Sequence, residues 1–100
     1  MPAWLIVTAH VHDRARFMAG YAPAAAALVE RFGGRYVIRA PGAVQLEGEG
    51  GAGASVVVSE WPDKAAALRF WNSDDYAAIR QLREGVASAS VLLVESAPPP

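Results

Sequence analysis

The chain has no cysteine, which excludes disulfides, thiolate metal sites and a cysteine nucleophile. It also has no charge bias: 9 Lys and Arg stand against 10 Asp and Glu, a formal net charge of −1. No basic stripe runs along it, so nucleic acid is not an expected partner. No apolar run approaches the roughly 20 residues of a membrane-spanning helix. The N-terminus lacks the basic region and apolar stretch of a signal peptide. These absences together set the expectation of a cytoplasmic protein with no membrane or nucleic-acid partner. What is present is apolar mass: 53% of the 100 residues are hydrophobic, enough to build a core. One domain is expected over residues 1–97, with Pro98–Pro100 a disordered proline tail.

Four runs read as strands: Trp4–His10, Arg35–Ala40, Ser55–Trp61 and Ser90–Ser96. Each alternates between a cleaner apolar face and one carrying His, Arg or Glu. Between them lie two helix-length segments, giving the order β-α-β-β-α-β. In the first, Phe17, Tyr21, Ala25, Leu28 and Phe32 recur at three- or four-residue spacing after a capping Asp13. Pro23 predicts a kink or a two-part helix, broken near Gly20–Ala22, and Gly33 predicts a left-handed stop. In the second, Asp63 caps, Asn72-Ser73 interrupts, and Ser73 opens a second piece lined by Tyr76, Ile79, Leu82 and Val86. Val44–Glu47 reads as a short strand and Gly48–Gly53 as a glycine-rich hairpin loop. That loop lacks the Lys-Ser/Thr and following helix of a phosphate cradle.

Several stretches carry a family resemblance: Ala9-His10-Val11, Phe32-Gly33-Gly34-Arg35-Tyr36-Val37-Ile38-Arg39, Leu46-Glu47-Gly48, Val57-Val58-Ser59-Glu60-Trp61-Pro62 and Trp71-Asn72-Ser73-Asp74-Asp75-Tyr76. With them the chain resembles, over nearly its whole length, the small bacterial family known as domain of unknown function 1330. The resemblance implies an α+β, ferredoxin-like subunit and a dimeric α+β barrel, and it implies no activity. Similar folds serve heme degradation, quinone-forming monooxygenation, lactone isomerisation and ligand sensing, so fold does not decide function.

Right-handed crossovers give a β-α-β-β-α-β chain the strand order 4-1-3-2. Read with strands one and three parallel, that order brings His10, Glu60 and Arg35 to one end of one face, with Arg39 deeper along it. His10 is then a candidate proton-transfer group and Glu60 its orienter, the candidate catalytic pair. Arg35 or Arg39 is a candidate clamp for a substrate carboxylate or oxyanion. Asn72, Ser73 and Tyr76, at the helix junction, are candidate substrate-binding residues. The competing readings are an Arg–Glu ion pair with His10 beside it, plain helix capping by Ser73, and a core role for Tyr76. His10 and His12 with Glu60 resemble a two-His-one-carboxylate metal set. Val11-His12-Asp13 leaves the strand, however, so the rings diverge and no metal or cofactor is expected.

Trp4, Ile6, Val37, Val56, Val58 and Leu93 would form an apolar patch on the semi-polar sheet face, which predicts a homodimer. Two functions then compete. One is a cofactor-free isomerase or monooxygenase acting on a hydrophobic, oxygenated ring or acid. The other is a non-catalytic ligand-binding or structural homodimer.

Overall fold

Residues 1–97 are described in a computed structural model; the expected tail Pro98–Pro100 lies outside them. Alternation produces four strands, β1 (Ala3–Val11), β2 (Arg35–Ala40), β3 (Ser55–Trp61) and β4 (Ala87–Glu95), in one sheet of order β2-β3-β1-β4. This is the expected 4-1-3-2 order read from the other edge. The stretch Val44–Glu47 is not a strand; it belongs to the connection between β2 and β3.

The expected direction of one pair needs correction. β1 and β3 are antiparallel neighbours, with Trp4 opposite Glu60 and Ala9 opposite Ser55. The crossover from β1 makes β2 parallel to it, and the hairpin then returns β3 between them in the opposite sense. A second correction follows from a bulge. Tyr36 pairs with Ser59 but Ile38 with Val58, so Val37 is the extra residue. A one-residue insertion reverses the side-chain alternation beyond it. Arg35 shares a face with Glu60, whereas Arg39 is carried to the face of Val57.

One sheet face is covered by helices. Asp13 opens α1 (Arg14–Arg16), its carboxylate accepting from the Arg16 N–H. Pro23 has no N–H to donate one turn back, and the helix widens to a π turn over Phe17–Tyr21. The Ala22 N–H reaches the Phe17 carbonyl instead, and α2 (Ala22–Arg31) continues from there. Gly33, at φ 92°, takes the left-handed position that ends the helix. The second layer is α3 (Lys64–Trp71), capped by Asp63, then α4 (Asp74–Arg80) and a 3₁₀ turn (Gln81–Arg83). The expected break at Asn72–Ser73 is present, whereas at Gly20–Pro23 the helix is widened and not interrupted, because the π turn absorbs the missing proline donor.

Trp61 anchors the core at the end of the sheet where β3 finishes. It is 1% exposed, stacks on Phe70 at 5.0 Å between ring centroids, and donates from Nε1 to Ser59 Oγ at 2.9 Å. Gly34 lies against the indole so closely that a Cβ there would meet ring carbons at 2.7–2.8 Å. The opposite sheet face is uncovered within the chain and carries Trp4, Ile6, Val58, Leu92 and Val94. Leu92 and Val94 stand opposite Ile6 and Trp4, while Leu93 pairs with Leu5 and packs into the core. The expected place of Leu93 on the open face is therefore taken by Leu92, which is 64% exposed.

Candidate functional site

Trp61 fills one end of the space between sheet and helices, but at the other end the side chains are too small to do so. Ala9, Ser55, Ala87 and Ala89 meet there, where β1 and β2 finish and β3 and β4 begin. A cavity of about 360 Å³ remains, within the range of small-molecule sites. Leu5, Val7 and Val57 form its floor. The π turn supplies its roof through Phe17 and Tyr21, so the widening forced by Pro23 shapes the site directly. Phe70 and Tyr76 close the inner wall.

The charged groups of this lining are few and of one sign. Arg14, Arg39 and Arg83 approach from α1, the end of β2 and the 3₁₀ turn. Among the described residues no Asp, Glu, His or Lys lines the cavity. Tyr21 and Tyr76 share a hydrogen bond between hydroxyls at 2.7 Å. Burial pushes the Tyr21 hydroxyl far up from its ordinary range, and Tyr76 adds to the rise. Burial also raises Tyr36, against the lowering pull of Arg39, whose guanidinium lies 4.8 Å from the Tyr36 ring centroid. Tyr21 is accordingly a neutral hydroxyl at physiological pH, fit for hydrogen bonding and unfit as a base. The arrangement can bind and orient an apolar molecule and stabilise negative charge on it.

The expected His10–Arg35–Glu60 cluster does not form. His10 and Glu60 share the open face but sit at opposite ends of it. Trp4, opposite Glu60, is six positions along β1 from His10, or about 20 Å at ~3.3 Å per residue. The parallel reading of β1 and β3 had placed them together. His10 Nε2 instead donates to the Gly50 carbonyl at 2.7 Å. A carbonyl only accepts, so that nitrogen carries the proton. His12 Nε2 bonds Ser88 Oγ at 2.9 Å, and Ser88 is the residue opposite His10 in the sheet. Among the described residues no group of three or more His, Asp or Glu is placed to hold a metal.

Arg35 and Glu60 pair at 3.0 Å, with 70% and 32% of their side chains exposed. A pair so solvated contributes little. Glu60→Ala is expected to lower stability by under about 1 kcal/mol in urea denaturation; a loss above about 2 kcal/mol would show a buried network instead.

Asn72 is exposed, and its N–H closes the end of α3. The Ser73 hydroxyl accepts from the Tyr76 N–H at 3.0 Å and donates to the Phe70 carbonyl at 2.7 Å. Its hydrogen-bonding is thus committed to the helix junction. Of the expected residues only Arg39 and Tyr76 reach the cavity. Sequence reasoning missed Tyr21, Arg14 and Arg83. The one signal for them was the proline that distorts the helix above the site.

The family described as "Domain of unknown function (DUF1330)" matches residues 2–97. No curated protein matches the chain. Among solved structures, a protein of unknown function from Rhodopseudomonas palustris superposes with a TM-score of 0.77 at 18% identity, over 98% of this chain and 84% of that one. SnoaB, a cofactor-independent oxygenase from Streptomyces nogalater, gives 0.72 at 15% identity, over 98% and 95% of the two chains. A putative antibiotic biosynthesis monooxygenase from Caulobacter crescentus gives 0.64 at 13% identity, over 97% and 91%. At such identities the likeness is one of fold.

Proposed function

The chain belongs to this DUF1330 family, and we propose that it binds a small, largely apolar organic molecule in the cavity between its helices and its sheet. The observation that carries the reading is the cavity itself. It is apolar along its floor and inner wall, roofed by a distorted helix, and bordered by arginines on separate elements. Arg39 and Tyr76 are the sequence candidates retained as ligand-binding residues, joined by Tyr21, Arg14 and Arg83.

A second reading adds turnover. Arginines and a hydroxyl pair around a bound molecule stabilise an oxyanion forming on it. Isomerisation and cofactor-free oxygenation both need that stabilisation, and cofactor-independent oxygenation is the activity named for the protein SnoaB. Since among the described residues no carboxylate or imidazole lines the cavity, the substrate on this reading ionises readily by itself.

The working form we propose is a homodimer in the bacterial cytoplasm, paired through the open sheet face. Support comes from the exposed apolar residues of that face, Leu92 and Val94 among them.

The cavity reading is tested by filling it. Val57 stands on its floor in β3. Val57→Trp is expected to reduce binding of 2-naphthamide by at least about tenfold in isothermal titration, with the melting temperature kept or raised because apolar area is buried. Unchanged affinity in a folded Val57→Trp protein would move the ligand elsewhere.

A further inference from the structure

The cavity is largely apolar, yet among the described residues its only charged side chains are three arginines. Among the described residues the ion pairs are Arg31–Asp75 and Arg35–Glu60, so Arg14, Arg39 and Arg83 have no carboxylate partner. What two of them do have is an aromatic face. Arg39 lies over Tyr36 at 4.8 Å and Arg83 over Tyr21 at 5.6 Å. Stacking fixes the plane of a guanidinium and leaves its N–H groups free at the edge. The arginines come from three separate elements, so helical spacing does not account for their meeting. They gather where the sheet end is lined by small residues and the cavity is reached.

We propose that the ligand is a planar organic monoanion, an apolar ring system bearing one carboxylate, whose charge is received by Arg39 and Arg83 with Arg14 beside them. The proposal rests on the cavity being the ligand site and adds the ligand's class. Shape and charge both point to it. The cavity lies between a sheet floor and a helix roof, and Phe17, Tyr21 and Tyr36 in its lining offer ring faces and edges to a planar guest. A guanidinium fork matches the two oxygens of a carboxylate, and the absence of acidic side chains from the lining removes any competitor for it. A dication or a neutral sugar finds neither a counter-charge nor enough hydrogen-bonding groups here. The Tyr21–Tyr76 pair holds two hydroxyl hydrogens and uses one on itself. The other remains to donate to a second oxygen on the guest.

The experiment compares two molecules of one shape, 2-naphthoate and its neutral counterpart 2-naphthamide, by isothermal titration at neutral pH and low salt. Wild-type protein is expected to bind the carboxylate at least about tenfold tighter, the worth of one charge-assisted contact. The double variant Arg39→Gln, Arg83→Gln is expected to remove that advantage, so that the two molecules bind it with equal affinity. Neither side chain is buried, so the variant is expected to fold, and a matching thermal melt confirms it. Equal affinity of wild-type protein for the two molecules would overturn the anion proposal and leave the cavity reading intact. A carboxylate preference that survives the double variant would also overturn it, by removing the arginines from the explanation. If neither molecule binds, the cavity reading fails and takes this proposal with it.

Discussion

Trp61→Ala is expected to lower the unfolding free energy by about 3–5 kcal/mol, the range for truncating a large buried aromatic. The indole is 1% exposed and is packed on three sides: Phe70 at 5.0 Å, Gly34 beneath it, and Ser59 at its nitrogen. Truncation opens a void the backbone at Gly34 is too constrained to fill. It also leaves the Ser59 hydroxyl, 4% exposed, without its partner, which adds a desolvation cost. Domains of this size are stable by only about 5–15 kcal/mol, so much of the margin goes. Gly34→Ala attacks the same contact from the other side and is expected to cost about 1–3 kcal/mol by overpacking. Urea denaturation checks both. A Trp61→Ala loss under about 1 kcal/mol would mean that the core rests elsewhere.

Ile6→Glu is expected to convert a dimer to a monomer. Ile6 sits at the middle of the open face, opposite Val58 on one side and Leu92 on the other. A carboxylate there is harmless to a lone subunit, whose open face is in water. Between two packed faces it would be a buried charge without a partner, costing several kcal/mol. Light scattering at micromolar concentration should give the dimer mass for wild-type protein and half of it for the variant, with circular dichroism unchanged. A wild-type monomer at that concentration would refute the pairing. So would an Ile6→Glu protein that stays dimeric.

The fold was readable from local signals. The spacing of Phe17, Tyr21, Ala25 and Leu28, the caps Asp13, Asp63 and Ser73, and Gly33 at φ 92° all act within a few residues, and each appears where local physics puts it. The site was less readable because it depends on relations between strands. Arg39 was assigned to the open face by simple alternation. One extra residue at Val37 reversed the alternation and delivered its side chain to the cavity. No feature of the residues Tyr36-Val37-Ile38 marks that bulge. His10 and Glu60 had the right face and the wrong end, because the pairing sense of β1 and β3 follows from where the hairpin returns. The cavity itself is a deficit of side-chain volume at Ala9, Ser55, Ala87 and Ala89, and small residues in strands do not announce whether a neighbour fills the gap.

A crystal structure of the protein with 2-naphthoate bound tests the central claim most directly. The ring is expected between the β1–β3 floor at Val7 and Val57 and the π turn at Phe17 and Tyr21, with its carboxylate toward Arg39 and Arg83. Ring density on the open sheet face beside Trp4 and Leu92, with the space beneath Tyr21 closed by its own side chains, would contradict it.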